Sequence, residues 1–301
     1  MSYDNYFNMY RKLINENLYS RSIKYILKFT NWKSILFDII FKKYPIKMIY
    51  KSGDYFIAND SIEAYYSTYA HDYEIKIDET GNLIFKYQEK YLQFQGWKQS
   101  SINEIYFKNF YDVLNVAGKT VVDIGSSIGD STVYFKLMGA DKVIALEPFP
   151  SAYNFAKTNV THNNIKNVVL INAACSSKND TLIIDPTIDA NPGNKAFNMK
   201  TGIPVPTITL EDIVKKYNIL QGVLKMDCEG CEYESIPHAK DDTLMSFDKI
   251  YIEYHNGLDE IKSRLTSIGF SVYASKPRYI YNKNIKKIAG VGILIAEKGR
   301  I

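Results

Sequence analysis

Cysteine is scarce in this chain: three in 301 residues, Cys175, Cys228 and Cys231. A secreted disulfide framework needs more of them, evenly placed, so that class is excluded. The opening residues, MSYDNYFNMYRK, hold no apolar core of a signal peptide. The most apolar early stretch, residues 34–50, is broken by Asp38, Lys42, Lys43 and Lys47. Its uncharged run is too short to cross a bilayer. These absences predict a cytoplasmic protein with no transmembrane segment, leaving peripheral membrane contact open. There is no internal repeat and no low-complexity linker.

Neither charge dominates, since 37 Lys and Arg stand against 33 Asp and Glu, a net charge of +4. The excess is at the front. Residues 1–50 hold nine basic and three acidic groups, or +6, which leaves −2 for the rest. Such a front end suits a solvated helical surface or an anionic partner. What is abundant is apolar surface, at 46% hydrophobic residues, enough for a sizeable core.

Two patterns of periodicity divide the chain. Tyr25, Ile26, Phe29, Trp32, Ile35, Leu36 and Ile39 recur at helical spacing. Tyr73, Ile75 and Ile77 alternate, residues 79–82 read as a turn, and Leu83, Phe85 and Tyr87 alternate again, which predicts a hairpin. From Gly118 onward, strands expected at 120–124, 142–146, 168–172, 222–226, 249–254, 270–274 and 291–297 alternate with helices at 131–138, 151–163, 210–217, 232–236 and 258–268. Near-continuous apolar strands separated by helices imply a mainly parallel sheet covered on both faces. The predicted fold is therefore α/β: a Rossmann-like, seven-stranded, mainly parallel sheet ending in an antiparallel hairpin. An N-terminal helical and β-hairpin region, 1–100, precedes this domain at 101–301.

The richest segment is 121–150, VVDIGSSIGDSTVYFKLMGADKVIALEPFP. Ligands in open α/β sheets bind outside the C-terminal strand ends. Strand one ends at Asp123; Gly125 permits a tight turn and Gly129 a close approach to a ligand. Ser126 and Ser127 add hydroxyls, and Asp130 stands where a helix N-cap would be. A dinucleotide site prefers G-x-G-x-x-G around a pyrophosphate. Here two glycines four apart are flanked by acids, which would repel a pyrophosphate. They suit a ligand carrying an ammonium and a sulfonium, so the spacing favours S-adenosylmethionine. Glu147, at the end of strand two, is placed to accept both ribose hydroxyls, with Pro148 and Phe149 walling the adenine.

A second motif, residues 223–232 (VLKMDCEGCE), ends strand four. Three acids in six residues are costly unless used or paired, and Lys225 is available to pair one of them. Together with VVDIGSSIGD, ALEP, THNN, INAACS, TITLEDI and YIEYH, this segment resembles the FkbM-type methyltransferases over about residues 102–297. The resemblance implies an S-adenosylmethionine-dependent enzyme, most often an O-methyltransferase acting on sugars or natural products. By position, Asp123, Gly125 and Gly129 would cradle the methionine end, and Asn172, Ala173 and Ala174 would lie near adenine. Asp227 and Glu229, then Glu253 and His255 from the next strand end, would face the methyl group and the acceptor.

Methyl transfer needs an aligned acceptor oxygen and a group to take its proton. His255 and Asp227 are the favoured bases. A hard cation is the other use of these acids, Asp227 and Glu229 being two apart, but no third ligand is evident, and no metal site is assigned. Cys228-x-x-Cys231 lacks the second ligand pair that zinc needs, and is read as small residues packed at the turn. Residues 185–206 and 276–287 read as loops, the latter carrying Lys276, Arg278, Lys283, Lys286 and Lys287 with Tyr279 and Tyr281. The expected acceptor is a small molecule or glycan. The alternatives are an RNA methyltransferase, against which the mild net charge and the lack of an RNA-binding module weigh, and a non-catalytic binding protein.

Overall fold

A computed structural model describes residues 2–14, 18–185, 202–282 and 287–299. Its centre is a sheet of β1 (Thr120–Ile124), β2 (Lys142–Leu146), β3 (Val168–Ile171), β4 (Gly222–Met226), β5 (Phe247–Tyr254), β6 (Phe270–Ala274) and β7 (Lys287–Lys298). The spatial order is β3-β2-β1-β4-β5-β7-β6. Strands β3 to β5 are parallel, and β7 runs antiparallel to both β5 and β6. The chain reverses direction across the sheet between β1 and β4, so a crevice opens at their C-terminal ends.

Alternation along the strands divides two cores. Val121, Val143, Ala145, Val223, Tyr251, Ile293 and Ile295 face one side. Val122, Ile124, Ile144, Leu146, Leu224, Met226, Ile250 and Ile252 face the other. Both sets are buried, which is why these strands read as continuous apolar runs.

Helices α1 (Tyr3–Ile14), α2 (Leu18–Lys28) and α3 (Trp32–Ile40) fall in the region of helical spacing. They belong to the first core, which also holds Tyr6, Tyr10, Phe29, Phe85, Trp97 and Tyr106. The Tyr6 hydroxyl donates to the Phe110 carbonyl (2.9 Å) and lies 3.2 Å from the Tyr251 hydroxyl on β5. The first hundred residues thus cover one face of the sheet. No described helix is long and apolar enough to cross a membrane.

Helix α4 (Ile102–Phe107), which was not expected, leads in; the five expected helices then start and end within a residue of expectation: α5 (Asp130–Leu137), α6 (Pro150–His162), α7 (Leu210–Tyr217), α8 (Glu232–Ser235) and α9 (Asp259–Ser267), with a further short helix at Asp241–Leu244. Local chemistry explains the sharp ends. Pro150 opens α6, where its missing N–H costs nothing. The Thr209 hydroxyl accepts the Asp212 N–H at 3.1 Å to cap α7, with acids in its first turn and lysines in its last.

Three local readings are corrected. Tyr73 belongs to a short helix, Ala70–Tyr73, ended by Glu74 in the left-handed region; its ring packs on Phe107 at 4.2 Å between centroids, and that contact overrides the alternation. The expected hairpin forms over a shorter span, Lys76–Ile77 pairing antiparallel with Leu83–Ile84, and the same strand makes a longer hairpin, Leu83–Tyr87 with Lys90–Phe94. Its two turn residues, Gln88 and Glu89, both have positive φ (46° and 61°), the requirement of a type I′ turn without its Asn-Gly signature. Arg278–Asn282, expected as loop, is a strand paired with the start of β7. Likewise Ile203–Ile208 pairs antiparallel with Thr181–Ile184 and parallel with Ala174–Cys175. Residues 186–201, including Asn191-Pro192-Gly193-Asn194, and Lys283 and Lys286 lie outside the described residues.

Candidate active site at the ends of β1, β2, β4 and β5

The sheet brings the expected residues to one end of four strands. Asp123 is fully buried. One oxygen, Oδ1, lies 3.1 Å from Lys225 Nζ. The other accepts from the hydroxyls of Ser131 (2.7 Å) and Thr132 (2.8 Å). Lys225 therefore does not pair an acid of its own motif, as expected, but Asp123, the residue opposite it in the β1–β4 register. Lys225 also donates to the Gly125 carbonyl at 2.7 Å. Burial disfavours its charge, yet Asp123 and Asp227 raise its pKa above the ordinary lysine value. The pair locks the turn that follows β1, and Asp123 reaches a ligand only through these partners.

The two glycines of the turn have packing roles that the sequence did not reveal. Gly125 (φ 75°) brings the loop against β4: a Cβ there would stand 1.9 Å from the Asp227 carbonyl oxygen. Gly129 (φ 80°), expected to approach a ligand, also packs closely on Ala156 of α6, where a Cβ would come within 3.1 Å. Gly125→Ala is expected to destabilise the fold by more than the ~1–2 kcal/mol of a left-handed L-residue alone, read as a lower urea midpoint. Ser127 also sits in the left-handed region (φ 48°). Asp130 is the first residue of α5 rather than its cap, a place taken by Gly129. Its carboxylate accepts from Ser101 N (3.1 Å) and Ser131 N (3.0 Å), and burial pushes its pKa up to about 6.

Glu147 is buried at the end of β2. Its oxygens accept the Ser127 N–H (2.8 Å) and the Phe149 N–H (2.9 Å). Each oxygen keeps a lone pair for a ligand hydroxyl. Burial raises its pKa to about 7 despite those two bonds. The Asn172 amide donates to the carbonyls of Glu147 and Pro148 (2.8 and 2.9 Å), fixing the β2 exit. Ala173 is buried beside it, and Ala174 begins the short parallel strand. The Phe149 ring packs with Ala152, Ile184 and Val205. The Ser126 hydroxyl is buried with no hydrogen-bond partner among the described residues. A buried, unpartnered hydroxyl beside a pinned carboxylate is what a nucleoside cofactor with a polar tail would satisfy, so the loop fits S-adenosylmethionine.

At the other strand ends, His255 gathers the acids of the second motif. Its Nδ1 is 2.9 Å from Glu232 Oε1, and its Nε2 is 3.4 Å from Glu229 Oε1 and 3.8 Å from Asp227 Oδ1. Glu232 is fully buried and accepts the Gly230 N–H at 2.8 Å. Burial opposes a charge on His255, but Glu229 and Glu232 outweigh it and hold its pKa well above the usual histidine range. Asp227 is raised by burial, against Lys225 and His255. Glu253 is raised well above its ordinary value, by burial and then by Asp227.

Several groups in this cluster carried no sequence signal. Glu104 on α4 has its pKa raised by burial and feels Lys108, Asp227 and Arg278. Burial, then Glu253, Glu104 and Asp227, raise the pKa of the Tyr10 hydroxyl, which brings α1 within electrostatic reach of the site. These come from elements over a hundred residues away in sequence. Cys228 and Cys231, expected as packed small residues, are joined by a disulfide across the turn, their Cα atoms 5.5 Å apart. Cys175 is a buried free thiol.

Comparison with known proteins places the chain in a family. The sequence matches the Methyltransferase FkbM domain over residues 123–272, a span that contains both motifs. No curated protein sequence matches the chain. Among solved structures, it is similar to M. jannaschii TYW2 in complex with AdoMet (17% identity, 73% of this chain and 87% of that chain, TM-score 0.41). It is also similar to precorrin-6y C5,15-methyltransferase from Geobacter metallireducens (15% identity, 64% and 89%, TM-score 0.38), and to Trm5b from Pyrococcus abyssi (14% identity, 72% and 56%, TM-score 0.41). With both motifs matched and the cofactor loop formed, this chain is an S-adenosylmethionine-dependent methyltransferase carrying an FkbM methyltransferase domain at residues 123–272.

Proposed function

We propose that the enzyme methylates a hydroxyl oxygen on a sugar, a glycan or another small neutral acceptor. The observation that supports this is the charge of the acceptor side. Asp227, Glu229, Glu253 and Glu104 influence one another there. Carboxylates accept hydrogen bonds from hydroxyls and repel a phosphate backbone.

When bound, S-adenosylmethionine supplies a methyl group already activated on a sulfonium. The residues then divide the remaining work. The backbone of 125–129, the Ser126 hydroxyl and Ser127 hold the methionine end, with Asp123 and Asp130 fixing the loop from behind. Glu147 accepts the ribose hydroxyls, and Pro148, Phe149, Asn172, Ala173 and Ala174 surround the adenine. Asp227 takes the acceptor proton, because His255, with its raised pKa, keeps its own. Glu253, its pKa raised by burial and then by Asp227, offers the acceptor a further hydrogen bond. Residues 1–100 form an extension to the domain at 101–301, with α1 as a wall of the acceptor side.

The pKa of Glu147 gives a pH test of the cofactor role. Its ionised form accepts ribose hydroxyls, and with a pKa of about 7 that form is lost as pH falls. Affinity for S-adenosylmethionine is expected to drop roughly tenfold between pH 8 and pH 6, measured by calorimetry, and Glu147→Gln is expected to flatten the profile. For the acceptor, a labelled methyl-transfer screen across glycans, lipids and RNA is decisive. Label entering hydroxyl-bearing carbohydrate supports the proposal. Label entering only tRNA, with retention on RNA that collapses as salt rises, overturns it.

A further inference from the structure

We propose that Asp227, Glu229 and His255 form a binding site for one hard divalent cation beside the acceptor position. The donors come from two strand ends, the turn after β4 and the exit of β5, and one atom of each lies within 4.8 Å of the others. Around an ion with bonds of 2.0–2.1 Å, neighbouring donors stand about 3 Å apart and opposite ones about 4 Å apart. The separations from His255 Nε2, 3.4 Å to Glu229 and 3.8 Å to Asp227, fall between those limits. Small side-chain movements close the set.

The surroundings of His255 carry the inference beyond a cluster of acids. The imidazole is buried, and its Nδ1 is engaged by Glu232, a carboxylate with no solvent exposure. That is the carboxylate–histidine arrangement that orients a metal-binding imidazole: Nδ1 keeps its hydrogen toward Glu232, and a bound ion takes the place of the proton on Nε2. Nε2 is the nitrogen turned toward Asp227 and Glu229. Glu232 is held in turn by the Gly230 N–H, and the Cys228–Cys231 disulfide closes the turn that presents all three acids. Glu229 is held at a φ of 58°, a conformation an L-residue rarely adopts.

The role of the ion rests on the methyltransferase reading; its binding does not. Coordination through Asp227 Oδ1 leaves Oδ2 to take the acceptor's proton. The ion's open positions hold the acceptor oxygen and lower the pKa of its hydroxyl. The two carboxylates suit Mg2+ or Mn2+, and of these the imidazole favours the transition metal, Mn2+.

The test uses Mn2+ alone with the 301-residue chain, free of S-adenosylmethionine, followed by the free-ion signal in electron paramagnetic resonance. One Mn2+ per chain is expected to bind, with Asp227→Asn and Glu229→Gln each losing binding at least tenfold. Glu232→Gln, which touches no ion, is expected to weaken binding about tenfold through His255. A thermal shift by S-adenosylmethionine in each variant shows that it is folded and tests the cofactor reading separately. If Glu232→Gln, at a fully buried position, does not fold, the partly exposed Glu229→Gln carries the test. Equal Mn2+ binding by wild type and the Asp227→Asn/Glu229→Gln double variant, or none by folded wild type, overturns the site while leaving the methyltransferase assignment intact.

Discussion

Replacing Lys225 with methionine is expected to cost about 3–5 kcal/mol of folding free energy, the usual result of stripping one partner from a buried ion pair. Lys225 and Asp123 are 2% and 0% exposed on adjacent strands, so water cannot replace the lost partner. Two further bonds are lost with the ammonium, to the carbonyls of Gly125 and Ile124. Those carbonyls belong to the cofactor turn, so binding of S-adenosylmethionine should fall with stability. The second arm of the test is Asp123→Asn combined with Lys225→Met. Asparagine keeps an oxygen for the Ser131 and Thr132 hydroxyls and leaves no stranded charge, so the double variant should recover much of the loss. Urea unfolding measures both. A single-variant loss below about 1 kcal/mol, the level of an exposed pair, would show that the pair is open to water and that the turn is held by other contacts.

The second large effect is on turnover. Asp227→Asn is expected to lower the rate of methyl transfer about 10²- to 10⁴-fold, the range for removal of a general base, while the thermal shift by S-adenosylmethionine persists. Asparagine preserves the shape of the side chain and removes its capacity to take a proton. His255→Ala should also reduce turnover, for a different reason. It leaves Glu232 buried without its partner and removes the positive charge that gathers Asp227 and Glu229. The two variants separate by stability: Asp227 is 29% exposed, whereas Glu232 is fully buried. The His255 variant should therefore melt lower, and Asp227→Asn near the wild-type temperature. Normal methyl transfer by Asp227→Asn would move the base elsewhere, with Glu253 the next carboxylate to test.

Much of the fold could be read from residue order alone. β1, β2 and β4 begin and end where their apolar runs do, because strands buried on both faces admit few polar residues, and the two charges inside β1 and β4, Asp123 and Lys225, neutralise each other. The helix ends follow from local chemistry at Thr209, Pro150 and the glycine of the β1 turn. The hairpin turning at Gln88 and Glu89 carries no sequence signal, because its turn is formed by residues with no intrinsic preference for positive φ.

The sequence by itself determined the sheet, the cofactor turn and the two acidic motifs, since each is a short segment whose periodicity or spacing is its own evidence. The tertiary structure decided the partnerships. Lys225 lies two residues from Asp227 in the chain, yet strand register sets it against Asp123, 102 positions earlier in the numbering. His255 meets Glu232 only because β4 and β5 are neighbours. Glu104 and Tyr10 reach the acids only because the first hundred residues pack on one face of the sheet. Charge pairing acts through space over a few ångströms, and which groups come that close is fixed by how the strands are ordered, not by their distance along the chain.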